Sequence, residues 1–222
     1  MKKISRVIYK EKAKFVKLEG NYLRILNGSN LEDLIESEFL LVYDFKKMLA
    51  PIKPSKIIVL DKNFKFKYIR ANNCVISPSS KVLSISEQLY LKPQIGVVIG
   101  KERVFGFLGI LSFFTDIFGD IRDFCLDTYS PFSEFIITEF PENMEVLINE
   151  NKITFSIQEF DYNEIFSYVK NYFHKLFIGD VIGYEFSDEV FKVKVGDRII
   201  LNGVFGKIET EIVKVALSSM KI

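Results

Sequence analysis

The sequence predicts a mixed, mainly β protein with few helices, and three observations lead to that fold class. Short β-branched runs such as Lys56 to Leu60 and Gln94 to Lys101 are typical of strands buried on both faces. Turn signals such as Glu19-Gly20-Asn21 recur between the apolar runs. The stretch that follows Asp161 keeps a helical period over several turns. We therefore expect a small N-terminal unit on a larger, highly bent β-sheet domain.

The first 50 residues are expected to form the small strand-and-helix unit. Apolar runs bounded by turns predict three short strands, at Arg6 to Tyr9, Ala13 to Leu18 and Tyr22 to Ile25. Ser29 or Asn30 is a suitable N-terminal cap for a short helix from Leu31 to Ile35. Pro51 and Pro54 remove backbone donors and bias their neighbours toward extended backbone. We place a domain boundary here, which divides the chain into residues 1–50 and 51–222.

The larger domain is marked by three further features. Val104 to Phe114 is the most apolar tract, and a bilayer span needs about 20 residues, so this tract predicts a buried strand. Val146 to Asn149 and Ile153 to Ile157 are typical of two strands around a turn. Asp161 followed by Glu164 resembles a capping box and predicts where the helix begins.

Composition argues against several classes of function. The 222-residue chain has a net charge of +1 with interspersed charges, which gives no reason to expect nucleic acid or an anionic membrane surface as a partner. Cys74 and Cys125 form no metal or redox motif, which favours a reducing cytoplasm. The Lys- and Glu-rich sequence, poor in Gln, His and Cys, is typical of thermophiles. No targeting segment is recognised, and we expect a cytoplasmic protein.

Several short motifs, in order along the chain, resemble those of the fumarylacetoacetate hydrolase family. Residues 50–58 are similar to the family pattern A-P-x-x-P-S-K-I-I, and residues 90–101 to Y-E-x-E-L-x-V-V-I-G-K. Phe105-Gly106 is similar to the start of F-G-Y-x-x-x-N-D, and both Gly179-Asp180 and Gly196-Asp197 match turns of the family. The resemblance implies a β-roll in the main domain and an oligomeric protein.

The same resemblance implies that the positions of the family's catalytic groups are altered. Its two metal-binding glutamates correspond to Lys92 and Gln94, and its third metal carboxylate corresponds to Ser112. Asp116 stands at the position of a family arginine and Phe124 at that of a family lysine. Phe186 lies in the segment that corresponds to the family's threonine motif. Arg70 stands where the family has another lysine, and Arg70 and Lys92 are candidate contacts for an anion.

These substitutions predict that a divalent metal is not held. Mg²⁺ and Ca²⁺ take several oxygen ligands, usually with carboxylates that balance the charge. Lys92 adds a positive charge instead, Gln94 a neutral carbonyl and Ser112 a hydroxyl. We therefore expect no catalytic residue, no metal and no cofactor. We also expect Phe124 and Phe186 to fill the former pocket, because buried aromatic rings remove large apolar areas from water.

Three hypotheses of function follow. The first is a homologue that has lost catalysis and acts as a structural or regulatory subunit, in a homo-oligomer or with an active paralogue. The second is a hydrolase, lyase or dehydratase of the family type, acting on a small 2-oxo or β-dicarbonyl acid through a rebuilt carboxylate site. The third is a module that binds a small molecule in the old cavity. Carboxylates near these tracts could rebuild a site: Glu87, Glu102, Asp116, Asp120, Asp123 and Glu134.

Overall fold

A computed structural model describes residues 1–115, 128–173 and 175–215 and confirms the mixed, mainly β fold class. The described part contains one α-helix, α1 (Tyr162–Tyr172), and two short 3₁₀ segments, Phe45–Lys47 and Asn72–Cys74. The strands are β1 (Lys3–Tyr9), β2 (Lys12–Glu19), β3 (Tyr22–Asn27), β4 (Ile35–Val42), β5 (Met48–Leu49), β6 (Lys56–Leu60), β7 (Phe66–Ala71), β8 (Val75–Ile76), β9 (Val82–Ser84), β10 (Gln88–Ile99), β11 (Val104–Phe114), β12 (Ser130–Pro131), β13 (Ile136–Ile137), β14 (Asn143–Ile148), β15 (Asn151–Ser156), β16 (Val181–Tyr184), β17 (Phe191–Lys194), β18 (Arg198–Gly203) and β19 (Gly206–Lys214).

Twelve of these strands form one mixed sheet in the order β4-β3-β2-β1-β13-β11-β10-β16-β6-β7, with β17 paired to β10 and β5 paired to β1. The strands of residues 1–50 extend this sheet, because β1 pairs antiparallel with β13 through Lys3–Ile137 and Ile4–Ile136. A five-stranded sheet has the order β15-β14-β18-β19-β9, and β12 pairs parallel with β8.

The hairpin of β10 and β11 lies in the middle of the large sheet. Lys92 is paired with Ser112 and Gln94 with Ile110, so these side chains share one face of the sheet. That face packs into the smaller of two apolar cores, which contains Ile110 and Phe114. Alternate residues of the same strands face the larger core. The sheet therefore separates two interiors, and the polar positions of β10 and β11 lie in the smaller one.

The helix and most of the strands were predictable, but one short helix was not. The Asp161 carboxylate accepts from the backbone amides of Asn163 at 2.9 Å and Glu164 at 3.1 Å, which confirms the predicted start of α1. The prediction of a helix from Leu31 to Ile35 is wrong. Those residues form a turn in which Asn30 Oδ1 accepts from the Glu32 amide at 2.8 Å, and Ile35 then begins β4. Pairing with β3 outweighs the local helical pattern there.

The two Gly-Asp turns come directly before β16 and β18. Gly179 and Gly196 have φ values of +91° and +90°, which side-chain-bearing residues rarely adopt. The Asp180 carboxylate accepts from the Ser55 hydroxyl at 2.6 Å and from Lys56 Nζ at 2.8 Å, so it fixes the start of β6. Burial opposes ionisation of Asp180, yet these hydrogen bonds prevail and lower its pKa. No helix among the described residues is long and apolar enough to cross a membrane.

Candidate functional site

The three positions that correspond to metal carboxylates in the family lie together in the structure. Lys92 and Gln94 are two residues apart on β10, and Ser112 lies opposite Lys92 on β11. Gln94 and Ser112 are buried, with exposed fractions of 0% and 1%, and the Lys92 side chain is 14% exposed. The sheet register alone produces this grouping, because residues i and i+2 of a strand point to the same side.

A fourth residue, Glu185, completes the group. It follows β16, and its carboxylate is buried beside Lys92. Glu185 Oε2 lies 3.0 Å from Lys92 Nζ and 2.9 Å from Lys67 Nζ, while Oε1 accepts from the Tyr68 hydroxyl at 3.2 Å. Gln94 Nε2 donates to the same Oε1 at 3.4 Å. We call these five residues the Glu185 cluster: Lys67, Tyr68, Lys92, Gln94 and Glu185.

The Glu185 cluster is an internal ion pair with a hydrogen-bonded shell. One carboxylate meets two ammonium groups, of which Lys92 is the more buried, since the Lys67 side chain is 37% exposed. Burial raises the pKa of Tyr68, so its hydroxyl keeps its proton and donates to the carboxylate. A buried carboxylate is stable only when it is paired and hydrogen-bonded, and here both conditions are met.

Arg70 is hydrogen-bonded within the fold. Its side chain is fully buried, and Nη2 donates to the Phe113 carbonyl at 2.6 Å. Nη1 donates to the Tyr129 carbonyl and to Ser130 Oγ, both at 3.3 Å, and the guanidinium lies 4.5 Å from the ring centre of Phe114. Arg70 therefore joins β7 to β11 and β12. The other candidate anion contact, Lys92, has Glu185 as its anion.

Three buried polar atoms in and around the Glu185 cluster have no hydrogen-bond partner among the described residues: Arg70 Nε, Gln94 Oε1 and Ser112 Oγ. Gln94 Oε1 occupies space that Gly183 leaves open, because a Cβ on Gly183 would lie 2.8 Å from it. Buried polar groups without a partner are uncommon and often mark the place of a water molecule or ligand.

The expectation that Phe186 fills the pocket beside Lys92 and Ser112 is wrong. The Phe186 ring packs edge-on against Phe155 at 5.4 Å, on the side of the larger core. Consecutive residues of an extended chain point to opposite sides. With Phe186 toward the larger core, the preceding residue Glu185 therefore faces Lys92. Asp116 and Phe124, as well as Asp120 and Asp123, lie outside the described residues.

Glu134 is the most buried of the other candidate carboxylates that the structure describes, and it has a structural role. The Tyr43 hydroxyl donates to its Oε1, and the Lys207 amide donates to Oε2 at 2.7 Å. Burial raises the pKa of Glu134 despite these hydrogen bonds. The carboxylate thereby ties the segment after β4 to the turn between β18 and β19. Glu87 pairs with Lys214 on the surface.

The side chains of Lys92, Gln94 and Ser112 do not form a ligand set that suits a divalent metal. The motif resemblance matches Lys92 to a carboxylate of the family, and Glu185, the carboxylate that reaches Lys92 among the described residues, already contacts two ammonium groups. Within residues 1–115, 128–173 and 175–215 no group of three or more His, Cys, Asp and Glu side chains could hold a metal ion. Besides two ammonium donors, the arrangement offers one neutralised carboxylate, one amide oxygen and one hydroxyl, and so lacks the carboxylates that balance the charge of a divalent ion.

Comparison with known proteins relates this chain to a set of solved structures. No protein-family model matches the sequence, and no curated protein matches it. The structure is similar to that of 2-hydroxyhepta-2,4-diene-1,7-dioate isomerase from Mycobacterium marinum, with a TM-score of 0.80 and 16% identity over 96% of this chain and 99% of that one. It is also similar to fumarylacetoacetate hydrolase from Exiguobacterium antarcticum, with a TM-score of 0.75 and 16% identity over 97% of this chain and all of that one.

A third similar structure is maleylpyruvate hydrolase from Sphingobium sp. SYK-6 in complex with manganese(II) and pyruvate, with a TM-score of 0.74 and 15% identity over 96% of this chain and all of that one. At such identities the likeness establishes the fold, and the chain has the fold of the fumarylacetoacetate hydrolase-like enzymes.

Proposed function

We propose that the chain is a member of the fumarylacetoacetate hydrolase family that has lost catalysis and acts as a structural or regulatory subunit. The observation that carries this proposal is the 3.0 Å contact between Lys92 and Glu185. Lys92 supplies the site with an internal cation, and this cation neutralises the Glu185 carboxylate. The fold shared with an isomerase and two hydrolases, together with the motif order of the sequence, supports the family assignment.

Electrostatics supports the loss of metal-dependent chemistry. At an effective dielectric constant of about 20, a divalent ion roughly 4 Å from one ammonium group is repelled by about 8 kcal/mol. The Lys92 and Lys67 ammonium groups both lie within 3.0 Å of Glu185 Oε2, and Glu185 is the carboxylate that reaches Lys92 among the described residues. A metal in such enzymes polarises a substrate oxygen or activates a nucleophile, and the part of the chain that the structure describes offers no ligand set for either role.

The proposed subunit role is supported by the outer edge of the large sheet. Within the described residues, β4 is the last strand on this side, and three of its apolar side chains are well exposed: Ile35, Phe39 and Val42. Exposed edge strands with apolar side chains are prone to pair with another chain. We propose a homo-oligomer, or a hetero-oligomer with an active paralogue, that covers this edge.

The oligomer is testable by light scattering. We expect the wild-type protein to be larger than a 25.8 kDa monomer, alone or after mixing with an active family enzyme, and Phe39→Glu to reduce that mass. Ile85→Glu is the matched control, because Ile85 is also an exposed apolar residue but lies outside β4. A wild-type protein that stays monomeric in both settings would exclude the subunit role.

The loss of catalysis is testable with a rebuilt ligand set. The triple variant Lys92→Glu, Gln94→Glu, Ser112→Asp restores three carboxylates, and we expect weak metal binding without hydrolysis of an acylpyruvate. The groups that orient a substrate are still absent, and positioning is a large part of catalysis. Acylpyruvate turnover by the wild-type protein with Mn²⁺ would contradict the proposal and favour the family-type enzyme.

A second candidate, a small-molecule binding module, is favoured by the three unpartnered atoms of Arg70, Gln94 and Ser112. They offer one donor, one acceptor and one hydroxyl, which suits a small neutral polar molecule better than an anion, because Lys92 and Arg70 already have partners. Native mass spectrometry of the purified protein tests it. A bound molecule lost in Ser112→Ala would favour this candidate, and a mass equal to the bare chain would count against it.

A further inference from the structure

A second polar region is lined by residues of β1, of β5 and of the turn after β8, and it contains no residue of the Glu185 cluster. Two neighbouring clefts, of about 300 Å³ and 330 Å³, share Leu49, Ser77 and Ser80 in their walls. Arg6 of β1 lines the first, opposite the turn formed by residues 77–80. We call the two clefts together the Arg6 groove.

The charge of the Arg6 groove is entirely positive. Arg6 and Lys53 line the first cleft, Lys46 and Lys47 line the second, and neither cleft is lined by Asp or Glu. Lys47 pairs loosely with Asp44, at 3.6 Å. In the described part of the chain the side chains of the other three cations form no ion pair. Among the described residues, Asp44 is the one carboxylate that pairs with any of these four cations, so the two joined clefts form a site that attracts anions.

Arg6 is the most informative of these residues. Its side chain is partly buried, yet its guanidinium makes neither a hydrogen bond nor an ion pair with any described residue. Burial lowers the pKa of Arg6, because desolvation disfavours its charged form. A guanidinium carries five donors in a planar fork, and leaving them unpaired in a half-buried position is costly. The geometry therefore leaves a place for an anion from outside the chain.

The opposite wall supplies neutral donors that are held in place. The Ser80 amide bonds to the Ser77 carbonyl at 3.1 Å, and the Glu209 amide bonds to the Pro78 carbonyl at 2.7 Å, so the turn is tied to β19. The hydroxyls of Ser77 and Ser80 make no hydrogen bond with described residues and line the first cleft. The floor between the two walls is apolar and consists of Leu49, Ala50, Ile52, Val75 and Ile76.

We propose that the Arg6 groove binds a small organic phosphate. Arg6 and Lys53 hold the phosphate group, the hydroxyls of Ser77 and Ser80 donate to its remaining oxygens, and the apolar floor packs against the organic part. A phosphate presents several strong acceptor oxygens, and an arginine fork matches two of them at once. This proposal is independent of the loss of catalysis at the Glu185 cluster, since the two regions share no residue.

The test is a titration of amide chemical shifts with glycerol 3-phosphate and with inorganic phosphate, at constant ionic strength set with sodium chloride. We expect saturable shifts at Ser77 and Ser80 with a dissociation constant of about a millimolar or below, tighter for the organic phosphate. Arg6→Gln should weaken binding by roughly tenfold or more, since hydrogen bonds to charged groups contribute that much. Arg6→Lys should give an intermediate loss, because it keeps the charge without the fork.

Lys65→Gln is the matched control. Lys65 is an exposed cation in the turn between β6 and β7, and it lines neither cleft. We expect its affinity to equal that of the wild-type protein. Absence of saturable shifts in the wild-type protein would overturn the proposal, as would equal losses in Arg6→Gln and Lys65→Gln. The amide spectrum of Arg6→Gln reports directly that the variant is folded.

Discussion

The Glu185 cluster predicts a large and specific loss of stability in Glu185→Gln. The substitution keeps the size of the side chain but removes the charge that Lys92 and Lys67 share. Removing one partner of a buried ion pair usually costs about 3–5 kcal/mol, because the other charge is left uncompensated. The Lys92 side chain is 14% exposed and can reach some water, so we expect a loss near the lower end, about 3 kcal/mol.

Urea unfolding measures this loss, as a lower midpoint with an unchanged slope. A double-mutant cycle with Lys92→Met isolates the pair. Lys92→Met alone leaves Glu185 its contact with Lys67, and the double variant should be more stable than Glu185→Gln because no charge is stranded. Asp188→Asn is the control, since Asp188 forms an exposed ion pair with Lys62. If Glu185→Gln destabilises the protein no more than Asp188→Asn does, the cluster is not the structural centre of the site.

Three further predictions concern carboxylates outside the cluster. Hydrogen bonds lower the folded pKa of Asp180. Its contribution to stability is therefore present above the unfolded pKa of about 3.9 and is lost as the pH falls through the lower folded value. Asp180→Asn should remove this loss of stability from the acid-unfolding curve. Burial raises the folded pKa of Glu134, so the free energy of unfolding should decrease as the pH rises above about 4.3, and Glu134→Gln should abolish this decrease. Asp161→Ala removes the cap of α1 and should cost about 1 kcal/mol in urea unfolding, whereas Asp161→Asn should cost less, since Asn also caps.

The central hairpin shows what the sequence could predict. The β-branched runs predicted β10 and β11, and the period of a strand placed Lys92 and Gln94 on one side. Asp161 predicted the first turn of α1 because an N-cap is a local signal. Where structure follows from neighbours in the chain, the sequence was sufficient.

Glu185 shows what the sequence could not predict. Its contacts reach residues 93 and 117 positions away, and no local pattern reports which strands become neighbours across a sheet. A one-residue difference along an extended chain exchanges the two faces, which is why Phe186 was expected where Glu185 lies. One signal was available in the sequence. Lys92 lies at a largely buried strand position and needs a carboxylate to balance its charge, and Glu185, directly after β16, supplies it.

We propose that Lys92 takes the place of a metal-binding carboxylate and that Glu185 neutralises its charge, so that no divalent ion is held. Titration of the protein with Mn²⁺ at neutral pH, followed by calorimetry, tests this claim most directly. The account predicts no stoichiometric binding tighter than about a millimolar, the weak end of protein sites for divalent ions. Lys92→Glu should bind Mn²⁺ more tightly than the wild-type protein, because it replaces the internal cation by a second carboxylate beside Glu185. Stoichiometric micromolar binding by the wild-type protein, lost in Glu185→Gln, would contradict the account.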